Sequence, residues 1–469
     1  MYQASDRSNS SGQTGDRVSR RKFISRAAAS AGFTIVPRHV LGGSGYTAPS
    51  EKLGIAAIGV GGQGAGLIKK FSEENEVVAL CDVDQTRAAE TFSRHPQARK
   101  YEDFREMLET QRDIDAVVVA TPDHTHAAAS IMAIKMGKHV YCEKPLTRTV
   151  YEARQVAQAA REAKVATQMG NQYQAGEGSR LLCEWIWDAA IGPVHEVHVW
   201  TSFAPLWEKN ADYFFQACGE RPKETPAVPS TLNWNLWLGP APYRPYHPAY
   251  LPFVWRGWRD FGTGALGDFG CHFLTNAFRA LRLGHPTSVE ATCTGAGGVR
   301  EAWASRELAR VNSETYPLAS IVRYEFGSRG DMPSVRLTWY DGGLLPPRPD
   351  ELERGRPMGV NNALFIGEKG KIMSGRLIPD SKMKEYRQPP KSLPRSIGHY
   401  KEWIGACKGG KPAGSNFEFA GLMTEVILLG NIAICTGEKL NWDGPNMRIT
   451  NSEKANEYIH CEYRDGWIL

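Results

Sequence analysis

Leu53-Gly54-Ile55-Ala56-Ala57-Ile58-Gly59-Val60-Gly61-Gly62-Gln63-Gly64 is the stretch whose reading decides how this chain folds. Residues 53–58 are a short apolar run of the kind buried in a parallel sheet. G-x-G-x-x-G follows at once, then a helical pattern over 65–71, a second strand over 77–80, and Cys81-Asp82 at its end. Gly59 permits the tight turn, Gly61 and Gly62 let backbone approach a pyrophosphate, and Gly64 lets helix and strand pack closely. Gln63 opens the helix, whose unpaired N–H groups and positive dipole end suit phosphate. Asp82 stands where a carboxylate accepts from ribose hydroxyls, and its charge would repel a 2′-phosphate. The pattern therefore predicts a Rossmann domain binding NAD, with NADP less favoured; Asp84 is the competing ribose partner.

Working outward, the alternation continues: helix 101–109, strand 114–120, helix 127–136, strand 139–142, helix 151–163 and strand 165–169. Ligands of such sheets bind outside the carboxyl ends of the strands. Those ends carry Thr121-Pro122-Asp123-His124-Thr125-His126, Glu143-Lys144-Pro145 and Gly170-Asn171-Gln172. His124 and His126 have H-x-H spacing, but no third ligand is evident nearby. The loop has a sufficient role in holding cofactor, so no metal is expected.

Thr121-Pro122, His126, Glu143-Lys144-Pro145 and Gly264-Ala265-Leu266-Gly267-Asp268-Phe269-Gly270-Cys271-His272 together resemble the Gfo/Idh/MocA oxidoreductases over about residues 50–445. The family pattern ends in an Asp where this chain has Thr275, which removes a third carboxylate and leaves the Asp268/His272 pair. The resemblance implies an α/β protein: an N-terminal Rossmann domain (50–170), then a C-terminal α/β substrate and oligomerisation domain (171–445) with a large, mostly antiparallel open sheet. Residues 194–204, 288–296, 318–327, 333–341 and 362–367 read as its strands. An open sheet face needs cover, so a homodimer or homotetramer is expected. The aromatic- and Pro-rich segments 205–258 and 343–360 read as insertions rimming the site or the interface. Residues 446–469 read as a C-terminal tail.

Oxidising an alcohol needs a base for the hydroxyl proton and a positive group for the developing alkoxide. The resemblance implies that Lys144 contacts the reacting hydroxyl, with Pro145 fixing its turn and Glu143 on the cofactor side. Asp268 and His272 share one face of a helix expected over 266–281, and so can act on one substrate hydroxyl. Asn171 is expected at the nicotinamide ribose. Gln172, Tyr173, Arg256 and Trp258 are candidate sugar contacts.

Ser19-Arg20-Arg21-Lys22-Phe23-Ile24 followed by an apolar stretch over 27–36 resembles a twin-arginine export signal. Residues 1–48 are therefore set aside as a leader read by the twin-arginine translocase, and a periplasmic or otherwise exported location is expected. About ten apolar residues cannot span a bilayer, which needs about 20, and no permanent membrane span is expected. The net charge of +5 in 469 residues has no basic run, which argues against nucleic acid. The nine cysteines include no C-x-x-C pair. Free NAD is not expected outside the cytoplasm. An exported enzyme would then carry its cofactor and restore it within each turnover, by sugar–sugar oxidoreduction or 3-keto-sugar chemistry. The alternatives are a redox-assisted NAD-dependent glycosidase, a non-catalytic cofactor- and sugar-binding sensor, and a cytoplasmic dehydrogenase.

Overall fold

Strands β1 (Gly54–Ile58), β2 (Glu76–Cys81), β3 (Arg99–Tyr101), β4 (Ala116–Val119), β5 (His139–Cys142) and β6 (Thr167–Met169) form a parallel six-stranded sheet in the order β3-β2-β1-β4-β5-β6. Every residue of β1 and β4 is buried, which is why both read as unbroken apolar runs rather than alternating ones. The strand order reverses between β1 and β4, and a crevice opens there at the carboxyl ends. The computed structural model describes residues 51–201, 221–294 and 314–469. Residues 1–50, which carry the Arg20-Arg21 pair expected in an export signal, and residues 202–220 and 295–313, which include the ends of the strands expected over 194–204 and 288–296, lie outside the described residues.

The second sheet has nine strands: β7 (Val194–Thr201), β8 (Ser288–Cys293), β9 (Ser320–Phe326), β10 (Val335–Tyr340), β11 (Asn361–Gly367), β12 (Gly370–Met373), β13 (Arg376–Ile378), β14 (Leu440–Asp443) and β15 (Arg448–Ile449). Their order is β13-β12-β11-β7-β10-β9-β8-β14-β15, antiparallel throughout except β7 beside β10. The alternation of β9 turns Val322, Tyr324 and Phe326 into the core. The opposite face is open only in part. Around β7, β10 and β11 a cluster of Trp200, Tyr340, Leu364 and Met373 is covered by Leu352 and Met358 of the 343–360 segment.

Between the sheets runs the helix Phe417–Thr436, against the Val150–Ala163 and Gly264–Phe273 helices and β6, β8 and β9. Its length and composition suffice to cross a bilayer, contrary to the sequence expectation that no stretch does. However, 78% of the qualifying window is buried inside the protein, as in a core helix.

Three expectations are corrected. The helix expected over 266–281 is two, Gly264–Phe273 and Thr275–Ala280, meeting at Leu274. The motif at 121–126 is not all loop, because Asp123 begins the helix Asp123–Lys135 and carries both histidines into it. Residues 446–469 are not a loose tail: Trp467 lies 5.8 Å from the Phe104 ring, and Tyr463 hydrogen-bonds Glu152 of the first domain. The helix His399–Cys407 likewise seats Trp403 edge-on to Phe71 at 5.0 Å and Tyr141 at 5.6 Å, closing a face of the parallel sheet. Leu53–Leu469 accordingly form one compact unit.

Truncating a buried indole leaves a cavity that costs about 3–5 kcal/mol. Trp403→Ala is expected to lose about that much in denaturant unfolding, although it lies more than three hundred residues along the chain from the first-domain core it supports.

Candidate active site

The glycine-rich turn is built from steric necessity. Gly59 has φ +80°, and a Cβ there would sit 2.7 Å from the Ala120 carbonyl oxygen; at Gly64 it would lie 1.8 Å from the Gly59 oxygen. The helix Gln63–Phe71 begins at Gly62 with no side-chain cap and no acid in its first turn. Its leading N–H groups thus have no side-chain acceptor, which suits a pyrophosphate. Asp82 braces the turn: one carboxylate oxygen accepts from the Val60 and Gly61 N–H groups at 2.8 and 3.1 Å, the other from Asp84 N–H at 2.9 Å. Burial raises its pKa against these donors. Asp84 also reaches the cleft, but its carboxylate caps the helix Gln85–Arg94. Gly59, Gly61, Gly62, Gln63, Asp82, Thr121, Pro122, Glu143 and Lys144 all line a single cleft of about 1010 Å³.

Several assignments are corrected here. His124 and His126 do not face the cleft and are about 1% exposed. The His124 ring nitrogens lie 3.2 and 2.9 Å from the Phe261 and Trp237 carbonyls. Those of His126 lie 2.8 and 2.9 Å from the Pro145 and Thr121 carbonyls, tying together the loops that end β4 and β5. Burial pushes both pKa values down to about 4. Asn171 is also buried away from the cleft, where its amide donates to the Cys271 carbonyl at 3.3 Å and the Thr275 hydroxyl at 3.0 Å. Trp258 is a core residue whose indole N–H donates to the Ala249 carbonyl, and it is Trp237 and Trp255 that reach the cleft wall. Periodicity could not separate these tryptophans, because the segment has no regular repeat.

The chemistry converges where the two domains meet. Lys144 Nζ donates to the Asp268 carboxylate at 2.7 Å and to its main-chain carbonyl at 3.1 Å. Arg256 Nε donates to the same carboxylate oxygen at 3.1 Å. Burial alone would raise the Asp268 pKa; the ammonium and guanidinium outweigh it and hold the carboxyl well below the usual range. The His272 ring lines the cleft one helical turn on, edge-to-face with Tyr173 at 5.2 Å. Burial, then the charge of Lys144, lowers its pKa to about 3, so it stands as neutral imidazole. The i, i+4 spacing did place both groups at one wall, yet Asp268 is engaged by two cations rather than by His272. Gln172 and Tyr173 also line this end.

Asp123 had no role in the sequence reading. Its carboxyl is 1% exposed, accepts from the Thr263 hydroxyl at 2.7 Å through one oxygen, and has no partner on the other. Burial, then the charge of Asp268, raises its pKa to about 7. Such a group holds its proton more tightly folded than unfolded, where it ionises near 3.9. Between about pH 4 and about pH 7 it therefore subtracts about 1.4 kcal/mol of stability per unit, with no further change above. Asp123→Asn is expected to gain stability relative to the parent across that window, by up to a few kcal/mol. Unfolding curves at pH 4.5 and 8 check the sign.

Residues 53–171 match the model of an oxidoreductase family's NAD-binding Rossmann fold, and residues 207–294 match that family's C-terminal alpha/beta domain. Levoglucosan dehydrogenase of Pseudarthrobacter phenanthrenivorans is 30% identical over 115 residues, 24% of this chain and 29% of the relative. A glycosyl hydrolase family 109 protein of Solibacter usitatus is 35% identical over 116 residues, 22% of this chain and 26% of the relative. The chain thus spans less than a third of the length of these curated relatives. The solved WlbA dehydrogenase of Bordetella pertussis, in complex with NADH and UDP-GlcNAcA, superposes with a TM-score of 0.54 at 16% identity, covering 84% of this chain and 99% of that one. A glycine-rich turn above a parallel sheet, a Glu-Lys-Pro strand end and a Gly-rich helix bearing Asp268 and His272 agree with both matches: residues 53–171 are similar to the NAD-binding Rossmann domain of the Gfo/Idh/MocA oxidoreductases, and residues 207–294 to their C-terminal domain.

Proposed function

We propose that the protein is an NAD-dependent oxidoreductase acting on a sugar or sugar derivative, working with a tightly held cofactor in a closed redox cycle. The observation that carries this reading is the Lys144–Asp268–Arg256 cluster, with neutral His272, at one end of the cleft whose other end is the glycine-rich turn. NAD fits the cleft: Gly61, Gly62 and the first turn of the Gln63–Phe71 helix would hold its pyrophosphate, Asp82 or Asp84 its adenosine ribose, and Glu143 would flank the nicotinamide. The nicotinamide supplies the hydride acceptor.

The chain's own residues do the rest. Arg256 and Lys144 present positive charge to the substrate oxygen as alkoxide character develops. Asp268 fixes both cations in place. His272, uncharged, is the group able to take the hydroxyl proton. Tyr173 and the Trp237/Trp255 wall offer faces for the C–H surface of a pyranose. A levoglucosan dehydrogenase among the relatives favours a sugar-like substrate.

Retention of cofactor is supported by the 229–261 segment, which clamps the end of β2. Asn233 N–H donates to the Val83 carbonyl at 2.9 Å, Gln85 N–H to the Thr231 carbonyl at 2.9 Å, and the Thr86 and Thr231 hydroxyls meet at 3.0 Å. The cleft thereby has a wall over its ribose end. Together with the twin-arginine-like leader this suits a folded enzyme exported with its cofactor to the periplasm. Sugar–sugar oxidoreduction and 3-keto-sugar chemistry both close the cycle. The similarity to a glycosyl hydrolase family 109 protein favours redox-assisted glycoside cleavage as the second reading.

Denatured protein, purified without added cofactor, is expected to release stoichiometric NAD or NADH by absorbance and mass; an empty, weakly binding protein would overturn the closed cycle. Lys144→Met is expected to abolish turnover while leaving cofactor bound. Asp268→Asn and His272→Ala are each expected to cost about ten- to a thousandfold in turnover of glycosides or sugar pairs.

A further inference from the structure

Glu143 sits at the strand end beside Lys144, and everything around it donates. Its Oε1 accepts from Gln63 Nε2 at 3.3 Å, Gln172 Nε2 at 3.4 Å and the Tyr141 hydroxyl at 3.5 Å; its Oε2 accepts from Lys144 N–H at 3.4 Å. These contacts are long, so no single one sets the carboxyl's state, but all four are donors.

The hydroxyl arm reaches further. Tyr141 O lies 3.3 Å from His399 Nε2, and His399 comes from the distant helix His399–Cys407. The direction of this bond is fixed by two amides. Gln168 Oε1 accepts from Ser415 N–H, so its Nε2 faces the His399 carbonyl at 2.6 Å and Nδ1 at 3.2 Å. Gln174 Oε1 accepts from Arg279, so its Nε2 faces Glu402 at 3.0 Å and His399 Nδ1 at 3.3 Å. Both amides therefore present N–H to Nδ1, which must be the bare acceptor. The ring proton is left on Nε2, donating to Tyr141, whose own proton then points to Glu143. The arrangement is a one-way chain of donors ending on the Glu143 carboxylate, set against burial that opposes its charge. The other titratable groups facing the chain are Tyr400 and Glu402 on the same helix as His399, Cys142 and Lys144 on the strand side, and Asp268 and His272 across the cleft.

Resting on the reading of the cleft as a nicotinamide site, we propose that Tyr141 and His399 are positioning residues that keep Glu143 an ionised carboxylate beside the nicotinamide, and so favour the oxidised, cationic cofactor over the reduced, neutral one. The aromatic cage of Phe71, Tyr400 and Trp403 around Tyr141 keeps water from the hydroxyl and holds it in register.

The test is a competition on the full-length protein. Protein loaded with NADH is challenged with NAD at pH 6, 7, 8 and 9, and the bound reduced fraction is read at 340 nm after gel filtration, giving the ratio of the two affinities. The parent ratio is expected to be flat with pH. Tyr141→Phe and His399→Leu are expected to make it fall by about tenfold between pH 9 and 6, as a carboxylate loses a charge-assisted donor. His399→Gln, which keeps an N–H, is expected to restore it. Glu143→Gln is expected to lower the ratio at every pH, and Tyr141→Phe to add nothing on that background. A general loosening of the fold would weaken both cofactor forms alike and leave the ratio flat. A flat ratio in Tyr141→Phe, or an undiminished Tyr141→Phe effect in the Glu143→Gln background, overturns the role of the arm alone. A parent protein that binds neither form overturns the nicotinamide reading itself.

Discussion

The ion pair between Lys144 and Asp268, 2.7 Å apart with side chains 15% and 7% exposed, is the constraint on which the site depends. Removing two charges from water is costly, and attraction offsets that cost only when geometry is good and the remaining lone pairs are filled. Here Arg256 takes a share of the same carboxylate, and Lys144 also reaches the Asp268 carbonyl. The pair joins the end of β5 to the Gly264–Phe273 helix, so both domains must be in place before the cluster exists. Burial first, and the nearby charge of Lys144 second, hold His272 neutral. Two cations around one carboxylate also suit the alkoxide chemistry proposed for the site.

Around that pair, the structure assigns carboxyls opposite conditions through their surroundings. Asp268 faces two cations and is firmly ionised. Asp123, buried under the same cluster with one unpartnered oxygen, holds its proton near neutrality. Asp82 faces three backbone N–H groups and serves the glycine-rich turn. Identical chemistry thus performs bracing and charge fixation in the cleft and proton storage behind its wall, because desolvation and nearby donors differ from one carboxyl to the next.

The chain's later segments return to complete its first domain. The 229–261 segment lies over the end of β2, the helix His399–Cys407 caps a sheet face through Trp403, and Trp467 packs near Phe104. A dinucleotide cleft walled from the second domain is more enclosed than a Rossmann crevice alone. That enclosure accords with a cofactor kept through turnover.

What the sequence determined by itself was local. The strand–turn–helix at 54–71 was legible because Gly59 and Gly64 answer clashes with the Ala120 carbonyl across one neighbouring strand and with the Gly59 oxygen within the turn, and because buried parallel strands leave an unbroken apolar run. That Lys144, Asp268 and His272 line the cleft was legible from the family resemblance for Lys144 and from the i, i+4 spacing for the other two. The tertiary structure alone decided which groups touch. Lys144 and Asp268 are 124 residues apart and Tyr141 and His399 are 258 apart, and no periodic pattern encodes such pairings. For the same reason the sequence placed Asn171, His124, His126 and Trp258 at ligands when they are buried supports, and overlooked Asp123 and His399. A side chain's charge state and purpose follow from what surrounds it, and those surroundings come from parts of the chain that only folding brings together.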